Sequence, residues 1–269
     1  MSWRAVARTD VHDAARSRTG WLLFAALSAL FVGYAFTHGS AGEDSFVAFL
    51  EGTASTVVTA VPVVAIFLGY RSVCDDRTSG SLLLTLSFPS SRRDLAVGTF
   101  VGRTVVLLVP TLTALSVAGV VGAVRYGTDG AALYPWFLLG SALYGTAFVG
   151  FAVGLSMSTT RDRRITYGAV GGYLLLAVWS ELVSFWVAFL HRFDPRVGTP
   201  DWALLLRLAE PREAYFRLLR AGFDVGPAGR YLASDAPLYV DWWAALAVLV
   251  LWNVVPLVVG FRRFRTADL

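Results

Sequence analysis

The chain has no lysine; all 23 basic residues are arginine. That absence excludes the GxxxxGK[ST] loop, whose lysine reaches the phosphates of a bound nucleotide. The chain therefore does not hydrolyse ATP by that route itself. Cysteine is nearly absent too: Cys74 stands alone, so an internal disulfide and a Cys-rich metal site are both excluded. The three histidines, His12, His38 and His191, are scattered along the chain and do not suggest a metal cluster. Neither HExxH nor GxSxG occurs, and Ser141 with His191 lacks the flanking motif of an intramembrane protease. Charge is scarce as well. Only 16% of residues are charged, where a soluble domain carries about 25%.

What is present is apolar. Hydrophobic residues make up 56% of the chain and the mean hydropathy is +0.59, which points to a membrane protein. A span needs about 20 apolar residues to cross about 30 Å of hydrocarbon. Six stretches meet or approach this: 21–37, 54–70, 101–124, 135–157, 165–190 and 242–261. Backbone groups in lipid must be paired within the segment, so these are helices. The alternation of a lipid-facing barrel strand is missing. The expected fold is an all-α membrane protein with six transmembrane helices, forming a single domain over 1–269.

Arginine placement orients the spans. Arg4, Arg8, Arg16 and Arg18 precede span one, and no arginine separates spans one and two. Arg71, Arg77, Arg92 and Arg93 lie between spans two and three, but only Arg125 between three and four. Arg161, Arg163 and Arg164 follow span four; Arg262, Arg263 and Arg265 follow span six. Both termini are therefore expected in the cytoplasm of a multi-pass cell-membrane protein. The loop 191–241 breaks the pattern with seven arginines, but long loops cross largely regardless of charge. The net charge of +4 follows from these flanks, and no nucleic-acid partner is implied. Asp10 and Asp13 in the first flank, and the length of the first apolar run, argue for a mature span over a cleaved signal.

Along the chain, 1–19 reads as an amphipathic interfacial helix, with Trp3, Val6, Ala7, Val11 and Ala14 on one side and Arg4, Arg8 and His12 on another. Asp94 is a plausible N-cap for span three, leaving Arg103 about two turns inside and able to snorkel back. Pro62, Pro110 and Pro256 fall inside spans. Gly150 and Gly154 form a small-xxx-small pair suited to close helix contact. Glu181 is the one acid deep in an expected span. A charge at the bilayer centre costs on the order of 2.5–3.5 kcal/mol, so Glu181 must be neutral, paired or facing water. It lines a substrate path, or it makes a buried bond to a neighbouring helix, or a shortened span places it near the outer face. The loop 191–241 is expected to hold two short helices, 202–208 and 211–221, and Trp242 and Trp243 mark an interface.

The segment 71–93, RSVCDDRTSGSLLLTLSFPSSRR, is too apolar in its middle for a solvated loop and too interrupted by Gly80 and Pro89 for a span. With the residues that follow, it resembles the cytoplasmic bridge of type-2 ATP-binding-cassette (ABC) exporter permeases. Asp76 and Arg77 match its start, Ser79, Gly80 and Ser81 its small turn, and Leu86, Ser87 and Pro89 its middle. Ser91, Arg92, Arg93 and Asp94 follow, then Gly98, Gly102 and Arg103; Thr99 stands where the family usually has a basic residue. EPREAY at 210–215 resembles the family's NPxEAY-like element, and FRTADL at 264–269 its Asp-Leu ending.

The resemblance implies a permease, not an enzyme in its own right. Two copies pair with two copies of a separate ABC ATPase subunit, and the ATP and Mg are used by that partner, with no cofactor bound directly. It also implies a short coupling helix at roughly 80–86, within the bridge 71–94, that seats in a groove of the ATPase. The residues suit that role: Leu82, Leu83 and Leu86 offer an apolar anchor, and Asp75, Asp76, Arg92 and Arg93 a charged rim. The ATPase-coupling set is thus Asp76, Arg77, Gly80, Leu82, Leu83, Leu86, Pro89, Arg92 and Arg93. Two readings compete: a membrane scaffold or assembly factor without transport, and a proton-coupled carrier centred on Glu181. The second lacks a detectable inverted repeat.

Overall fold

A computed structural model describes residues 2–38, 45–70, 72, 91–159, 162–193, 200–223 and 237–266. Helices dominate, and no strand occurs among the described residues. In chain order they are α1 (Trp3–Arg16), α2 (Arg18–Thr37), α3 (Phe46–Gly69), α4 (Arg92–Tyr126) and α5 (Tyr134–Ser158), then α6 (Asp162–Ala177), α7 (Trp179–Leu190), α8 (Asp201–Leu208), α9 (Pro211–Leu219) and α10 (Trp242–Thr266). Five of them (α2, α3, α4, α10, and α5 with the 3-10 turn before it) are long and apolar enough to cross a membrane. A sixth crossing requires α6 and α7 to count as one span.

That pair is where the fold departs most from the sequence expectation of one straight span over 165–190. The two helices meet at an angle of 52° across Val178. The break brings Glu181 into the first turn of α7, where it is exposed, rather than deep in a continuous helix. Two other boundaries also move. Ser45 caps α3 through a 3.1 Å bond from Ala48 N, so that helix starts well before residue 54. Ser91, not Asp94, is the N-cap of α4; Asp94 occupies N3, and together they form a capping box. The serine wins because its short hydroxyl reaches the N3 amide while the aspartate turns back to the Ser91 backbone.

The core runs through α2, α3, α4, α5 and α10. Phe31, Phe49, Leu107, Phe137 and Phe264 are among its fully enclosed side chains. Close approach of α5 and α10 depends on missing side chains: Gly150 faces the Asn253 carbonyl and Gly154 the Pro256 carbonyl, so an added Cβ would strike backbone at both. The pair read from sequence as a contact face is thus one, and Gly260 completes it from α10. At the end of the bundle where α1 lies, α1 packs across the start of α4. The opposite end is filled by α8 and α9. These two do not span. Tyr215 of α9 meets Tyr144 of α5, with ring centroids 4.9 Å apart. Tyr144 lies about 15 Å along α5 from its start, by the helical rise. The α8–α9 unit is therefore a re-entrant hairpin whose turn, at Ala209 and Glu210, reaches the middle of the bundle.

Candidate functional site

Seven of the nine coupling residues expected from sequence, Asp76, Arg77, Gly80, Leu82, Leu83, Leu86 and Pro89, lie outside the described residues. Arg92 and Arg93 open α4, directly after them, and they differ. Arg93 is exposed. Arg92 reaches the last turn of α10, where Nη1 donates to Phe264 O at 2.7 Å and to Arg265 O at 3.0 Å, with the guanidinium 5.6 Å from the Phe264 ring centroid. The last carbonyls of a helix lack intrahelical donors and carry its negative dipole end, so a cation there is favourable. Asp94 works in the other direction, accepting the Trp3 amide at 3.2 Å. The first turn of α4 therefore ties together the start of α1 and the end of α10.

Between two and three turns further on, Arg103 pairs with Asp10 of α1 at 3.1 Å instead of extending back towards the surface. Gly98 and Gly102 allow this. A Cβ on Gly98 would strike Val6 and Trp3 O, and one on Gly102 would lie 2.7 Å from the Asp10 carboxylate. The GxxxGR spacing at 98–103 is thus the bed on which α1 rests. Ala7 of α1 is buried there, whereas Trp3 stays 38% exposed.

A second polar junction forms where α6 breaks into α7. Breaking a helix frees the first amides of the segment that follows. Glu210, in the hairpin turn, accepts the Ser180 amide at 3.1 Å, and Glu213 accepts the Ser180 hydroxyl at 2.8 Å. Arg207 of α8 donates to Ser184 Oγ. Three indoles satisfy carbonyls of the hairpin: Trp179 donates to Leu206 O at 2.7 Å, Trp252 to Ala209 O at 2.9 Å and Trp136 to Leu218 O at 3.0 Å. Those carbonyls fall in or just after the last turns of α8 and α9, where helix carbonyls run short of amide partners, although Leu218 O also accepts the Ala221 amide at 3.2 Å. Arg217 fixes the far end of α9 to the start of α10, donating to Val240 O at 2.9 Å and to Asp241 at 2.6 Å. Burial, with the Glu213 carboxylate next, pushes the Glu210 carboxyl up to about 7.

Beside this junction is a cleft of about 320 Å³. Ser55 and Thr59 of α3, Tyr144 of α5, Tyr173 of α6, and Glu210 and Arg212 of the hairpin line it. Arg212 is exposed here, near the middle of the bundle, and Glu181, on α7, is exposed without lining the cleft. Polar and ionisable groups at that depth are costly against lipid and belong on a watery or protein-covered face. No group of three or more metal-ligating residues occurs among the described residues.

The whole chain can now be set beside known proteins. The family model described as ABC-2 family transporter protein matches residues 4–269. The chain belongs to the ABC-2 transporter family. Among its relatives is the probable ABC transporter permease protein NosY of Pseudomonas aeruginosa, 30% identical over 280 residues that cover 97% of this chain and 96% of that one. The corresponding protein of Stutzerimonas stutzeri is 29% identical with the same coverage. The protein is thus a multi-pass membrane permease subunit of the ABC type. For an ABC-2 permease, both junctions are described by side chains that sequence reading only partly identified. Arg92 stood out through its motif, but as a rim charge. Glu210 and Glu213 stood out only as part of EPREAY. Trp179 and Trp252 gave no signal, because a tryptophan within an apolar run looks the same whether it faces lipid or a carbonyl.

Proposed function

We propose that this ABC-2 permease is the membrane half of an ATP-driven exporter of the cell membrane. Two copies assemble with two ABC ATPase subunits, and ATP with Mg is consumed by those partners. Both termini lie in the cytoplasm, as the arginine distribution favours. The segment 71–94 is the coupling bridge, with Leu82, Leu83 and Leu86 entering a groove of the ATPase. The observation that carries this reading is the knot at the end of the bridge. Arg92 holds the end of α10 and Asp94 holds the start of α1, so a push on the bridge is delivered to three helices at once. Interfaces reward an apolar anchor framed by charge, which is the composition of the bridge.

The substrate path runs through the cleft beside α3, α6 and the hairpin and continues past Glu181, with the second copy closing its open side. The exposed Arg212 in the lining of that cleft supports the placement. Co-purification of the tagged permease with its ATPase from native membranes tests the coupling. Leu82→Asp and Leu86→Asp should each abolish the association while the permease still inserts. Retained association together with unchanged ATPase stimulation would refute the coupling bridge and favour a non-transporting scaffold.

A further inference from the structure

Between α1 and the spans lies a cleft that neither the bridge nor the hairpin uses. Its volume is about 580 Å³. Ser17 ends α1 and caps α2, so the chain turns there from one helix into the next. The cleft lies at that elbow. Asp10, Asp13, Ser17 and Thr19 give it a polar side, together with Arg103 of α4. Leu22, Leu23 and Ala26 of α2, with Phe67 and Leu68 of α3, give it an apolar one.

The places of these residues along their helices set the depth. Phe67 and Leu68 fall in the last turn of α3, and Thr19 in the first turn of α2. Both helices are long and apolar enough to span, so those turns mark the edge of the hydrocarbon on the α1 side. Ala26 lies about 12 Å beyond Arg18 by the helical rise. The cleft is therefore polar at headgroup depth and apolar at chain depth, which is the order of groups in a lipid. A second cleft, of about 270 Å³, shares Ala14, Gly20 and Val106 with the first. Its lining includes Trp21 and Phe24, on a different face of α2 from Leu22 and Ala26, and Val11 and Val109 beside them. A diacyl lipid needs two apolar troughs beside one polar mouth, and the elbow provides both.

Charge selects the headgroup. Two carboxylates, Asp10 and Asp13, stand in the mouth against one guanidinium, Arg103. Arg103 is engaged by Asp10 at 3.1 Å. Asp13 is exposed and forms no ion pair among the described residues. The mouth thus keeps a spare negative charge, which repels an anionic headgroup and attracts a cationic one. Thr19 adds an exposed hydroxyl as a further acceptor. A primary ammonium donates three hydrogen bonds to such groups, whereas a quaternary one has no N–H to donate. Arg16 and Arg18 are exposed on either side of Ser17, so a phosphate at the elbow has cations beside it.

We propose that the elbow cleft holds one phosphatidylethanolamine molecule per chain, taken from the leaflet on the α1 side. Its ammonium meets Asp13 and Thr19, its phosphate lies beside Arg16 and Arg18, and its chains run along α2. The site needs a membrane but neither an ATPase nor a transported substrate, so it stands or falls independently of the exporter reading.

Native mass spectrometry of the full chain tests this, with equal amounts of phosphatidylethanolamine, phosphatidylcholine and phosphatidylglycerol of identical chains added in detergent. One phosphatidylethanolamine per chain should be retained over each of the other two by about 5-fold, the size of one exposed ion pair. Asp13→Asn, at an exposed position, should bring phosphatidylethanolamine and phosphatidylcholine close to parity. Ala26→Trp, also at an exposed position, fills the apolar part and should reduce the retention of all three lipids. Equal retention of the three by the native chain, a preference for phosphatidylglycerol, an unchanged preference in Asp13→Asn, or full retention in Ala26→Trp would each overturn the proposal.

Discussion

The two polar junctions use the same chemistry in opposite surroundings. At the start of α4, Arg92, Asp94, Asp10 and Arg103 tie helix ends together where Ser91, Arg93 and much of α1 stay exposed. At the hairpin, Glu210, Glu213, Arg207 and Arg217 make comparable bonds with almost no exposure. Water can replace a lost partner at the first junction but not at the second. A charge-assisted hydrogen bond is worth about 1.5–3 kcal/mol, whereas stranding a buried charge costs about 3–5 kcal/mol. Breaking a contact at the first junction therefore costs less; the second is the costlier of the two to break.

Three substitutions probe that contrast. The largest effect is expected for Asp241→Ala, which leaves the Arg217 guanidinium buried beside the start of α10 with only the Val240 carbonyl. A loss of about 3 kcal/mol is expected, towards the low end for a buried pair because Asp241 itself is partly exposed. It should appear as a lower Tm in lipid nanodiscs. Arg92→Gln comes next. It should weaken the hold on the Phe264 and Arg265 carbonyls by about 1.5 kcal/mol, with faster hydrogen exchange confined to the last turn of α10. The smallest is Asp10→Asn. Both partners of the Asp10–Arg103 pair are partly hydrated, so about 0.2–1 kcal/mol is expected, and raised salt should shrink the difference between variant and native protein. Equal losses from all three would erase the distinction between the junctions.

Much of this architecture is legible in the sequence because lipid imposes simple rules. Apolar runs gave the spans, and Gly150 with Gly154 marked a true contact face. The short helices of the long loop were foreseen almost to the residue. Hydropathy could not show the break at Val178, since the stretch stays apolar on both sides of it, and a bend in a helix costs no hydropathy. Nor could it show that α8 and α9 turn back into the bundle: a loop helix with Leu204, Leu208 and Phe216 buried has the same composition whether it lies on a surface or plugs a cleft. Arg103 was read as snorkelling because its partner, Asp10, lies far away in sequence on a different helix. Pairings between distant elements are what a single sequence conceals.

The length of α4 has a mechanical meaning. Its 35 residues form a rod of about 52 Å, against about 30 Å of hydrocarbon. Such a rod is a lever. Pivoting it by only ~10° about one end sweeps the other through ~9 Å, by the same helical rise. A pivot at its first turn would carry α1 and the end of α10 only a short way while its far end, near Tyr126 and its bond to the Ala35 carbonyl, travelled furthest.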